Sequence, residues 1–158
     1  MEIINITPRG YCKGVVKAIQ MAKQASLDFP HQKITVLGEL VHNDHVVSGL
    51  KEMQIDTLES KHSTRLELLN QIDEGVVIFT AHGINKSVVE KAKQKGLKTI
   101  DASCEDVIST QTLVESYLTQ KYDVLYIGKK GHPESEAICL SDVNHIHLIT
   151  SIDDIRQL

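Results

Sequence analysis

The sequence predicts an α/β protein with parallel, doubly wound sheets built from repeated units, on three observations. Short β-branched runs alternate with amphipathic helical stretches, the pattern that produces parallel sheets through helical crossovers. The segment following each of five runs carries a cysteine or a histidine. The order strand, Cys, helix, strand, His occurs twice along the chain, an internal repeat at the level of whole units.

IINIT at 3–7 reads as the first strand, and PRG at 8–10 breaks it. Val15, Val16, Ile19 and Ala22 then recur at helical spacing and predict a helix over 15–28. KITVLGEL at 33–40 is the second strand, followed by helix patterns at 44–53 and 64–72. GVVIFTA at 75–81 is the third strand, and the helix at 86–95 follows it, its basic KAKQKGLK end reading as a solvated face before a glycine stop. LKTIDA at 97–102, a helix at 106–120, YDVLYIG at 122–128 and HIHLIT at 145–150 complete the alternation. A boundary just before the second cysteine divides the chain into a first α/β domain at 1–100 and an incomplete second one at 101–158.

Composition removes several classes of function. A net charge of −4, with no Trp, two Phe and four Tyr, supplies neither a phosphate-tracking basic face nor a stacking platform, so no nucleic-acid partner is expected. There is no run of 18 apolar residues and no basic, apolar leader; the expectation is a cytoplasmic protein without a membrane partner. Three dispersed cysteines, Cys12, Cys104 and Cys139, make no disulfide framework and favour ligand or catalytic use. No CxxC supports a zinc ribbon or thioredoxin-like site, and no GxGxxG follows a strand.

Ligands of parallel sheets bind beyond the carboxyl ends of the strands, where helix N-termini point. In order, the strand ends here deliver Cys12, His42, His82, Cys104, and His132 with Glu134. A cysteine at a helix start is stabilised as thiolate by backbone N–H groups; the other reading of Cys12 is a small apolar plug beside Gly10 and Gly14. Cys12 precedes His42 by 30 residues and Cys104 precedes His132 by 28. A counterpart of His82 in the second unit would fall beyond Leu158.

PRGYCKGV at 8–15, ELVHN at 39–43, VIFTAHG at 77–83, IDASC at 100–104 and GKKGHPE at 128–134 resemble, in order, the motifs of the LytB family of 4-hydroxy-3-methylbut-2-enyl diphosphate reductases. Members of that family are about twice this length and consist of three pseudo-symmetric α/β domains of about 100 residues. The resemblance therefore implies the first domain and part of the second, with the third absent. It implies a 4Fe-4S cluster held by one cysteine per domain, here Cys12 and Cys104, the third ligand lying outside this chain. It implies that His42, His82 and His132 bind the substrate diphosphate, and that His132 and Glu134 serve the proton path. It implies a reductive dehydroxylation to isopentenyl and dimethylallyl diphosphate, with electrons from a donor such as ferredoxin or flavodoxin. A 158-residue chain lacking the third ligand is expected to be inactive alone.

The sequence departs from the pattern at Ser103-Cys104-Glu105, where the family has Thr-Cys-Pro; a glutamate there is compatible with a helix start and places a carboxylate beside the ligand. Cys139, in the apolar AICL stretch, reads as a small buried hydrophobe, and His45, His62, His145 and His147 as surface, loop or edge-strand residues. The competing reading is a non-catalytic module in which the two cysteines hold iron or zinc, with a dimer interface supplying four thiols.

Overall fold

The computed structural model describes residues 2–4, 10–60 and 62–158. α1 (Lys13–Asp28) turns Ala18, Ala22 and Ala25 inward, all at most 1 % exposed, so its backbone lies close to the sheet beneath it. There follow β1 (Ile34–Leu37), α2 (Asp44–Glu52), β2 (Ile55–Leu58), α3 (Arg65–Leu69), β3 (Val76–Phe79), α4 (Lys86–Gln94) and β4 (Lys98–Asp101). α5 (Glu105–Thr119), β5 (Val124–Ile127), α6 (Pro133–Cys139), β6 (Ile146–Ile149) and α7 (Ile152–Arg156) complete the chain.

Four strands form one parallel sheet in the order β2-β1-β3-β4, and β5 and β6 pair in parallel as a second. Alternate residues of the first sheet pack in opposite directions. Ile34, Val36, Val76 and Ile78 join Ala18, Ala22 and Leu50 of α1 and α2. Leu37, Val77 and Phe79 join Leu68 and Leu69 of α3 and Val88 and Ala92 of α4. Helices thus cover both faces, which is why β1 and β3 are buried along their whole length and, apart from Thr35, apolar. The predicted doubly wound parallel architecture is the one observed.

Of the first predicted strand only Ile3 and Ile4 are described, exposed and outside any strand; residues 5–7 lie outside the described residues. β2 was not foreseen in the sequence. Its IDTL has one fully buried residue and no clean alternation; β1 recruits it as an edge strand through a parallel ladder from Ile34↔Ile55 to Leu37↔Leu58. The helix expected at 64–72 is the single turn or so of α3, started by a capping box in which Thr64 and Glu67 bond each other's backbone.

The second sheet is thinner. Ile138 of α6 and Val114 of α5 pack on Ile146, with Val124 and Tyr126 partly buried beside them. Polar contacts tie this layer to the first. The Glu136 carboxylate on α6 accepts the Arg65 backbone N–H at 2.9 Å, and Gln111 on α5 donates to the Ile84 carbonyl at 3.2 Å. Lys86 and Glu115 form an ion pair at 2.8 Å.

Candidate functional site

Beyond the carboxyl ends of β1, β3 and β4 the backbones stay zipped together. Ala81 N–H donates to the Leu40 carbonyl at 3.3 Å, Ala102 N–H to Phe79 at 3.2 Å and Cys104 N–H to Ala81 at 3.0 Å. The ladder therefore carries the His42, His82 and Cys104 segments out side by side. Asn43 caps α2 by accepting from His45 and Val46 N–H, which anchors the residue immediately before it, His42. His132 comes from the other sheet as the N-cap of α6, its Nδ1 accepting the Glu134 N–H at 3.3 Å, with Pro133 in the first helical turn.

These three imidazoles meet. His42 and His82 stack with centroids 4.5 Å apart and planes 24° from parallel; His132 stands edge-on to both, at 5.9 and 5.6 Å. His82 has its pKa lowered to about 4, first by burial and then by the adjoining His42, His132 and Arg65 charges, with Glu39 acting in the opposite direction. Its Nε2 is shielded from solvent and has no hydrogen-bond partner among the described residues, a state that calls for a ligand atom.

One nitrogen from each ring lies within 4.8 Å of one from each of the others. The stacking is ill suited to a single metal ion, because imidazole lone pairs lie in the ring plane and near-parallel planes do not converge on one point. His132 Nδ1 is moreover already engaged as an acceptor. Side-by-side in-plane N–H donors suit an anion with several oxygens.

A cavity of about 430 Å³ nearby shares His42 as a wall but also carries Glu39, Glu59 and Glu136. Its one guanidinium, Arg65, is bound by Glu59 at 3.0 and 3.2 Å. Three carboxylates against a neutralised arginine make that cavity unsuitable for a phosphate. His62, expected to be an ordinary surface residue, lines it.

Glu134, half-buried, follows His132 by two residues and faces β5, where the Tyr126 hydroxyl donates to its Oε1 at 3.5 Å. Burial, then the Glu134 charge, raises the Tyr126 pKa.

The two cysteines occupy matching places. Cys12 is the N-cap of α1 and Cys104 that of α5, both with extended backbone and neither making a side-chain cap bond. The first turn of α1 rests on Cys104: a Cβ on Gly14 would lie 2.9 Å from Cys104 Cβ and 3.2 Å from its Sγ. Only glycine allows this approach. Lys17 of α1 also reaches Glu105 at 3.5 Å. The two thiols thus stand at equivalent helix N-termini, each without a side-chain cap bond. Cys139 does not resemble them; it ends α6, packs beside the second sheet's core, and burial raises its pKa. His145 pairs with Asp123 at 2.9 Å and His147 approaches it at 3.8 Å, away from the cluster.

Sequence reasoning missed Glu39, Glu59, Arg65 and Glu136. Glu39 carried a signal in its place three residues before His42 within ELVHN, whereas Arg65 sits in a polar stretch with nothing to mark it as buried.

Residues 3–158 match the family described as LytB protein. The chain is 50% identical over 160 residues to the 4-hydroxy-3-methylbut-2-enyl diphosphate reductase of Geobacillus kaustophilus, covering all of this chain and 50% of that protein. It is 46% identical to the enzyme of the same name from Symbiobacterium thermophilum, covering 53% of it. The solved E-1-hydroxy-2-methyl-but-2-enyl-4-diphosphate reductase from Plasmodium falciparum superposes with a TM-score of 0.83 at 30% identity, over 96% of this chain and 45% of that one. The chain spans about half the length of the curated relatives it matches.

Proposed function

The chain belongs to the LytB family, and from that premise we propose that it forms the diphosphate-binding and two-cysteine portion of a 4-hydroxy-3-methylbut-2-enyl diphosphate reductase. The observation that carries the reading is the imidazole cluster assembled from two sheets, with stacked His42 and His82 and edge-on His132. The reaction takes up two electrons and two protons, breaks the allylic C–O bond, and yields water with isopentenyl or dimethylallyl diphosphate. The electrons come from a small redox protein such as ferredoxin or flavodoxin.

His132 Nδ1 accepts a backbone N–H, so its proton is on Nε2 and is free to donate to a phosphate oxygen. His82 presents a shielded, unpartnered Nε2. Burial, with repulsion from His42, His132 and Arg65, keeps the ring neutral, and an anion placed beside it offsets that repulsion. Glu134, next to His132 on the same turn, supplies a proton to the departing hydroxyl. Cys12 and Cys104 would ligate a 4Fe-4S cluster, which when bound supplies the electrons and a Lewis-acidic iron for the hydroxyl; the third thiolate lies outside these 158 residues. On this reading these 158 residues bind diphosphate by themselves.

Calorimetric titration with inorganic pyrophosphate tests the proposal. His42→Ala, His82→Ala and His132→Ala should each weaken binding by at least about tenfold, the usual effect of losing a hydrogen bond to a charged group. Glu134→Gln should bind at near-parental affinity, because its role is proton delivery and not anchoring. Absence of binding by the parent, or indifference to all three histidine changes, rejects the reading. Iron or zinc uptake through the cysteines in that circumstance would favour the metal-binding module.

A further inference from the structure

A line of charged contacts runs from the buried edge of the first sheet to His42. Arg65 is 7 % exposed, and its guanidinium holds Glu59 through two nitrogens, at 3.0 and 3.2 Å. Glu59 in turn accepts the Glu39 backbone N–H on Oε2 at 3.1 Å and the Ser60 N–H on Oε1 at 3.0 Å. Gly38 N–H extends the β1–β2 ladder to the Leu58 carbonyl at 2.8 Å. Gly38 has φ +102°, and a Cβ there would lie 2.6 Å from the Arg65 Cζ. The backbone at Glu39 is therefore pinned by its neighbouring strand, by Glu59 and by the close approach of the guanidinium. Its carboxylate is aimed by that backbone, and Oε2 stands 2.9 Å from His42 Nδ1.

An ionised carboxylate only accepts, so the proton of this bond sits on Nδ1. His132 shows the opposite arrangement, since its Nδ1 faces an N–H donor and must be bare. The two rings have their protons placed by partners of opposite kind, and among the described residues Glu39 is the partner that sets His42's.

Resting on the diphosphate reading, we infer that Glu39 is a positioning residue: it holds the His42 proton on Nδ1. As a phosphate oxygen approaches the bare Nε2, that nitrogen takes up a second proton from solvent, and the resulting imidazolium is held between two anions. A charge-assisted bond at each nitrogen is stronger than a neutral one, and the carboxylate supplies the half of that arrangement that the ligand does not.

Nitrogen-15 chemical shifts of the histidine rings, with and without inorganic pyrophosphate, test this. In the parent, neutral His42 should show protonated Nδ1, and both nitrogens should be protonated once pyrophosphate is bound. Glu39→Ala should move the proton to Nε2 and weaken pyrophosphate about tenfold. Glu39→Gln keeps an oxygen acceptor in nearly the same volume, so it should retain the Nδ1 proton while losing part of the affinity. A merely structural role would alter unfolding without changing the tautomer. Unchanged His42 shifts in Glu39→Ala overturn the inference whatever pyrophosphate does. Failure of the parent to bind pyrophosphate overturns the diphosphate reading instead, and the shift comparison still decides the part played by Glu39.

Discussion

The two sheets that jointly supply the imidazole cluster are held by different means. In the first, β1 and β3 are buried along their whole length between α1 and α2 on one face and α3 and α4 on the other. In the second, β5 alternates, with Leu125 and Ile127 at 52 % and 83 % exposure opposite the face that packs on α5 and α6. His42 and His82 therefore project from a scaffold complete in itself. The placement of His132 depends on a thin layer docked through Glu136, Gln111 and Lys86. A site divided in this way combines a rigid wall with one that its polar contacts hold in place.

Truncating the core should reveal this contrast most strongly. Phe79→Ala removes a ring that is 1 % exposed and should cost about 3–5 kcal/mol in denaturant unfolding, whereas Leu125→Ala should stay within about 0.5 kcal/mol. Similar costs at the two positions would abolish the distinction.

Acid should weaken the rigid wall next. His82 titrates at about 4 in the folded chain against 6.5 in the unfolded one. As pH falls from 6.5 the unfolded chain takes up a proton that the folded chain refuses, so stability falls until pH approaches 4, by about 2 kcal/mol once solvent screening of the partly exposed ring is discounted. His82→Gln should flatten the stability profile over that window. His132→Gln should flatten it partly, because His132 is one cause of the shift. A parental slope in His82→Gln would show that His82 does not carry the effect.

The smallest effect concerns the joint. Glu136→Ala removes the acceptor for Arg65 N–H and should cost about 1–2 kcal/mol. Hydrogen exchange should quicken at Val124–Ile127 more than at Ile34–Leu37. Equal quickening in both would mean that the sheets open as one unit.

The alternation of β-branched runs and helical periods made the parallel architecture legible, and the residues just beyond those runs made His42, His82, Cys104 and His132 legible as a group, because side chains at strand ends share an edge. β2 was illegible: IDTL has neither the alternation nor the apolar run of a strand, and it pairs only because β1 offers it an edge. The same holds for Arg65. Nothing adjacent to it in the chain marks it as buried, and its partner Glu59 meets it only because β2 and α3 return to the same corner.

Sequence alone determined the period of β1, β3 and the longer helices and the residue type at each strand end, since both are local properties of the chain. Tertiary structure decided the strand order β2-β1-β3-β4, the stacking of His42 on His82, and the neutral state of His82. Desolvation and Coulomb interaction depend on distance in space, and the groups that bury and repel the His82 ring come from segments as far away as His132.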